Sequence, residues 1–152
     1  MSVLQQASAL CPEHVDVLAE LAIAAQRTDP ATAASAFERL EAALAAQGVA
    51  MPAAYWHNLG VQYHKLGRLD DALSAYEKAL LRPEGWRRGL ADPLPAPSAE
   101  EVTTVYNIAL AQEAAGRIAE AQRVYKAILG AFPNYADCKQ RRLLPPFHGC
   151  SW

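Results

Sequence analysis

Few residues of this 152-residue chain have the chemistry of a catalyst or a ligand, and they are scattered. His57 and His64 lie seven apart, two turns along one helix, so they would share a face. A zinc site needs three or four ligands, and no acid or Cys stands at matching spacing around them. His148-Gly149-Cys150 places a base beside a thiol, as a nucleophile requires. That string sits in a Pro-rich tail with nothing to hold it in geometry. Cys11, Cys138 and Cys150 form an odd, widely spaced set without a CxxC pair. Neither a zinc ribbon nor a disulfide framework follows, and a reducing intracellular compartment is the expectation. Cys138 reads as packing. No GxxxxGK, GxGxxG, GxSxG or HExxH string occurs. The chain is expected to be non-enzymatic, with no cofactor and no metal.

Charge narrows the partners. There are 14 Lys+Arg against 16 Asp+Glu, net −2, so no direct nucleic-acid contact is expected. Arg87-Arg88 and Lys139-Arg141-Arg142 read as solvated ends of helices or loops; the latter also admits a weak nuclear-localisation reading. Apolar stretches fall short of the ~20 residues of a membrane helix, and Met1 to Gln6 lacks a basic n-region, so no secretory signal is expected.

The elements that would position these residues are helices. Alanine, the best helix former, occurs 32 times and suggests closely packed helices. No stretch alternates long enough for a convincing strand. Cys11-Pro12-Glu13 opens a first helix to about Gln26. Asp29-Pro30 opens a second, which runs to Gln47 and stops at Gly48. Pro52 opens a third, stopping at Gly67. Leu69 to Leu81 is a fourth, ended by Pro83. Ser98 to Glu101 fits a capping box for a fifth, stopping at Gly116. A sixth spans about Ile118 to Ala131, before Pro133, and Asn134 caps a short seventh ending before Pro145-Pro146. Leu69, Ala72, Leu73, Tyr76, Ala79 and Leu80 form one helical stripe; Ile118, Ala121, Tyr125, Ile128, Leu129 and Phe132 form another. No helix can bury its own stripe, so the helices must pack on one another. Between them Glu84 to Pro97 reads as a long connection, with Trp86 positioned to pin it.

The two stripes belong to a repeat. Trp56-His57-Asn58-Leu59-Gly60 aligns with Val105-Tyr106-Asn107-Ile108-Ala109 at an ungapped offset of 49, which continues through Gly67/Gly116, Ala72/Ala121, Tyr76/Tyr125 and Leu80/Leu129. Each unit resembles a tetratricopeptide (TPR) repeat. Trp56, Leu59, Gly60, Tyr63, Gly67, Ala72, Tyr76 and Ala79 match the motif, as do Ile108, Ala109, Gly116, Ala121, Tyr125 and Pro133. Val105, Gln112 and Ile128 depart from it. A 34-residue period implies about 15 inserted residues, which the Pro-rich loop supplies. Ala33, Phe37 and Leu40 resemble the second helix of a degenerate unit. The resemblance implies an all-α, short right-handed solenoid of antiparallel helix pairs. Its expected parts are a degenerate pair over 1–51, units over 52–83 and 99–133, an inserted loop over 84–98, and a short capping helix with an irregular tail over 134–152.

TPR arrays hold partner polypeptides in an inner groove, and the matching positions here are His57, Val61, His64, Lys65, Tyr106, Leu110 and Glu113. Asn58 and Asn107 stand at a position of the TPR carboxylate clamp. His57, Val61, Tyr106 and Leu110 occupy the neighbouring places where basic partners are needed, so the charge-assisted bonds to a terminal carboxylate are missing. A closer resemblance begins at Thr103-Thr104-Val105-Tyr106-Asn107-Ile108-Ala109. It runs through Glu113-Ala114, Glu120-Ala121, Tyr125-Lys126, Ile128-Leu129 and Pro133-Asn134-Tyr135 to Asp137-Cys138. This string is similar to one repeat in the large TPR subunit, the Ctr-nine family, of the RNA polymerase II-associated Paf elongation complex. Past Cys138 the chain reads as an unrelated end. The resemblance implies a nuclear scaffold in transcription elongation and chromatin modification, with other Paf subunits as partners. The other readings are a cytoplasmic peptide-binding adaptor or co-chaperone, and the TPR segment of a larger enzyme such as a glycosyltransferase.

Overall fold

The computed structural model describes residues 2–10, 14–80 and 94–135. Among them are seven helices and no strand: α1 (Val3–Leu10), α2 (Val15–Ala25), α3 (Pro30–Ala46), α4 (Ala53–Lys65), α5 (Leu69–Ala79), α6 (Val102–Ala114) and α7 (Ile118–Ala131). The described residues are all-α, as the punctuation predicts. Contacts divide it into two units, with the boundary between Ala75 and Tyr76 inside α5.

In the first unit, α1 packs on α2, α2 on α3, and α3 on α4. The α1 helix is an addition to the expected set. Its start is a capping box: Ser2 N donates to Gln5 Oε1 (2.8 Å) and Gln5 N donates to Ser2 Oγ (3.2 Å). The α2 helix starts later than expected. His14 caps it, accepting weakly from Val17 N at 3.4 Å, and residues 11–13 lie outside the described ones. The α3 helix starts where Asp29-Pro30 predicts. Asp29 accepts from Thr32 N (3.2 Å) and from the Thr32 hydroxyl (2.5 Å). Leu18, Leu21, Ala22 and Ala25 of α2 are buried, with Ala33 and Phe37 of α3.

The reversal between α2 and α3 uses no glycine. Thr28 N and Asp29 N both donate to Ala25 O, at 3.1 and 2.8 Å. Leu18, Leu21, Ala22 and Ala25 have the spacing of Trp56, Leu59, Gly60 and Tyr63. Ala33 follows Ala22 by 11 residues, whereas Ala72 follows Gly60, and Ala121 follows Ala109, by 12. The first hairpin therefore lacks one residue in its turn, which hides its kinship in a gap-free reading.

Three helix ends share another geometry. Gly48, Gly67 and Gly116 have φ of 71°, 73° and 80°. Each glycine N–H bonds back three residues, and the N–H of the next residue bonds back five: Val49 to Leu44 O, Arg68 to Tyr63 O, and Arg117 to Gln112 O, all at 2.9 Å. This Schellman pairing satisfies carbonyls that a helix end leaves open. The expected stops at all three glycines are present. Pro52 stands at the cap of α4 without a side-chain bond. The α5 helix closes at Ala79; Leu81 and Pro83 lie outside the described residues.

In the second unit, the Ser98–Glu101 box forms: Ser98 N donates to Glu101 Oε2 (3.1 Å) and Glu101 N to Ser98 Oγ (3.3 Å). A turn follows, and α6 begins at Val102 and packs on α7. Val105, Ile108 and Ala109 of α6 are buried, as are Ala121, Val124 and Ile128 of α7. Val105, Ile108, Val124 and Ile128 contribute roughly 1.5–3 kcal/mol each when fully buried. Tyr76 and Tyr125 are alike in burial, each 1% exposed. Trp86 and the string from Cys138 through His148 and Cys150 lie outside the described residues, as does the expected short helix past Tyr135.

The glycines carry opposite expectations. An added Cβ meets nothing within 4 Å at Gly67, Gly116 or Gly130, so space does not distinguish them. Gly67→Ala or Gly116→Ala should cost about 1–2 kcal/mol, because the left-handed backbone is strained for other residues. Gly130→Ala, inside α7, should stabilise by about 0.5–1 kcal/mol. Urea denaturation of the full chain measures both signs.

Candidate interaction surface

The α4 helix carries four of the candidate residues. Its buried side is Leu59, Gly60, Gln62 and Tyr63. His57, Val61 and His64 are half-buried, and Lys65 is exposed. Burial holds both imidazoles below the ordinary histidine pKa, because desolvation disfavours the charged ring. Neutral rings suit a face that takes uncharged or hydrogen-bonding groups. Lys65 is already used within the unit. Its Nζ donates to Gln26 O (3.1 Å) at the C-terminal end of α2, where a cation also meets the negative end of the helix dipole.

Behind this face runs a polar latch that sequence spacing does not reveal. Tyr63 Oη donates to Glu38 Oε1 of α3 at 2.6 Å. The Arg68 guanidinium lies 4.4 Å over the Tyr63 ring, 3.6 Å from Glu38, and its Nε donates to Asp71 Oδ2 at 3.0 Å. Burial first, then the Glu38 bond, pushes the Tyr63 hydroxyl pKa upward. Arg68 and Glu38 are about half exposed, so their ion pair adds little. The Tyr63–Glu38 bond joins α4 to α3, and the ring contact holds the Arg68 turn against α4. Phe37 and Tyr55 add a ring contact at 5.9 Å between α3 and α4.

The second unit brings its candidates together through residues the sequence reading placed only in the core. Tyr106, Leu110 and Glu113 are half-buried along α6. Tyr125 of α7 links the two ends of this row. Its ring stands 5.9 Å from that of Tyr106, and its hydroxyl donates to Glu113 Oε2 at 2.7 Å. Tyr135 adds a third ring, 5.5 Å from Tyr106. All three rings are tilted, within the range that favours aromatic pairs. The departures from the repeat motif are absorbed locally. Gln112 replaces the usual aromatic ring, is 1% exposed, and accepts from Arg117 Nε at 2.5 Å. Arg117 thus folds back on Gln112 as Arg68 folds back on Tyr63.

No group of three or more His, Cys, Asp or Glu able to hold a metal occurs among the described residues. No helix there is long and apolar enough to cross a membrane. Asn58 and Asn107 are half-buried at the clamp-like position, with the non-basic neighbours already named.

The two α4 histidines give a pH prediction. Their folded pKa lies below the ordinary 6.5, so below about 6.5 the unfolded chain binds protons that the folded chain refuses. Stability should be full above that pH and fall as pH drops beneath it. Thermal midpoints between pH 8 and pH 5 should show this fall, and it should shrink in His57→Gln/His64→Gln. An equal fall in the double variant would remove these rings as the cause.

The comparison with known families agrees with the helix boundaries. Residues 53–82 match the tetratricopeptide repeat family, and so do residues 104–135. The first match takes in α4, the Gly67 turn and α5. The second takes in most of α6, the Gly116 turn, α7 and the chain to Tyr135. In sequence and in helix geometry together, these two stretches are similar to tetratricopeptide repeats.

Proposed function

We propose that this chain is a non-enzymatic protein-interaction scaffold in which α4 and α6 each offer a face to a partner polypeptide. The observation that carries the reading is the division of labour within each helix. One side of α6 is spent on Val105, Ile108 and Ala109 in the core, while Tyr106, Leu110 and Glu113 stay half-exposed on another. The same holds for α4, with Leu59, Gly60 and Tyr63 inside and His57, Val61 and His64 half-exposed. A helix face of this kind suits an extended or helical partner.

The finer reading is a Paf-complex-like component acting in the nucleus during RNA polymerase II elongation and chromatin modification. What supports it is the Thr103–Ala109 string and its continuation to Tyr135 and Cys138. Much of that string is not core: Thr103 is exposed, and Asn107 and Tyr135 are half-exposed. Recombinant Paf-complex subunits should be retained by the tagged full chain. Val61→Lys combined with Leu110→Lys should weaken retention at least tenfold with the circular dichroism unchanged. Absence of retention by the wild-type chain would remove the Paf reading. Calorimetric heat with acidic C-terminal chaperone peptides would then favour the adaptor reading.

A further inference from the structure

The first unit has an open face on α2, outside both repeat matches; that its ligand is a polypeptide rests on the scaffold reading above. The chain reverses after α2 and again after α3, so α2 and α4 run in the same direction. Lys65 Nζ on Gln26 O holds their C-terminal ends side by side. One turn back on each helix stand Ile23 and Val61. Neither is spent on the core. Ile23 is 41% exposed and Val61 half-buried, while Leu18, Leu21, Ala22 and Ala25 commit the other side of α2. Asp16 and Glu20 lie seven and three residues before Ile23, which places them on its side of the helix. Arg27 lies four residues after it, and all three charged residues are exposed. Among the described residues, no hydrogen bond or ion pair engages the side chains of Asp16, Glu20 or Arg27. Lys65 uses one of its three donors on Gln26 O. The aliphatic pair is therefore flanked by carboxylates on one side and by cations on the other.

We infer that the open face of α2, with Val61 beside it, binds a partner segment carrying opposite charges on either side of a large apolar residue. The apolar side chain lies between Ile23 and Val61. A Lys or Arg meets Asp16 and Glu20, and an Asp or Glu meets Arg27 and Lys65. A segment with one sign of charge on both sides would be repelled at one end. Glu20 and Asp16 lie about 4.5 and 10 Å before Ile23 along the helix axis. In an extended peptide at about 3.3 Å per residue, the basic residue falls within about three positions of the apolar one.

The test is selection of random twelve-residue peptides displayed on phage against the immobilised full chain, followed by affinity measurement with one selected peptide. Enriched peptides should carry a large apolar residue with a basic residue on one side and an acidic residue on the other. Ile23→Ser should weaken the selected peptide about fivefold or more, with the circular dichroism unchanged. Val3→Ser, at a site 79% exposed on α1, should leave the affinity as it was. Asp16→Asn combined with Glu20→Gln should weaken binding and flatten its salt dependence. Affinity unchanged in Ile23→Ser, an equal loss in Val3→Ser, or enrichment without the paired charges overturns the inference. Loss of the peptide in Leu110→Lys but not in Ile23→Ser overturns it too and leaves the scaffold reading standing. Absence of any enrichment counts against both.

Discussion

A helix that turns back on its neighbour leaves its last carbonyls without partners, and the chain must satisfy them within two or three residues. Gly48, Gly67 and Gly116 do this in the same way. A positive φ at the glycine brings the next amide round to the carbonyl five residues back. The rest of each repeat depends on that reversal. It sets where Ala72 and Ala121 stand relative to Gly60 and Ala109, and all four are buried small residues. Close approach of helices follows from their size. The outer faces of α4 and α6 are then presented because their inner faces are committed.

The two repeats share this frame but fill one position differently. In the first, Tyr63 reaches Glu38 on α3 and carries the Arg68 guanidinium on its ring. In the second, Gln112 is shorter and binds Arg117 directly. The same arginine, one residue past the glycine, thus serves a cation–π contact in one repeat and a hydrogen bond in the other. Tyr125 in turn makes the second repeat's exposed row a connected unit, since one side chain touches Tyr106 and Glu113 together. A buried core residue therefore shapes the half-exposed face, and core and surface cannot be varied independently there.

The sequence makes the repeats legible because glycine, proline and the capping box mark the ends while the stripes mark the faces. The α7 helix spans Ile118 to Ala131, where the punctuation and stripe place it approximately. The start of α6 is read to within its first turn, through Ser98 and Glu101. What escapes has physical causes. Eight-residue α1 is too short for periodicity to decide, and such a helix depends on packing for its stability; the Ser2–Gln5 box was its only local mark. The α2–α3 turn is one residue shorter, so an alignment that forbids gaps cannot register it. Tyr106 and Tyr125 are 19 residues apart on different helices. Periodicity assigns each to a face but does not say which rings meet. Spacing likewise does not reveal that Lys65 donates to Gln26 O at the end of α2.

Amide hydrogen exchange of the full chain at Arg68 and Arg117 tests the shared reversal most directly. Their N–H groups close the turns onto Tyr63 O and Gln112 O. Protection at both, comparable to that within α4 and α6, is the predicted result. Exchange at the rate of an unstructured peptide at either position would contradict the account, because that hairpin would then lack the closure on which its presented face depends.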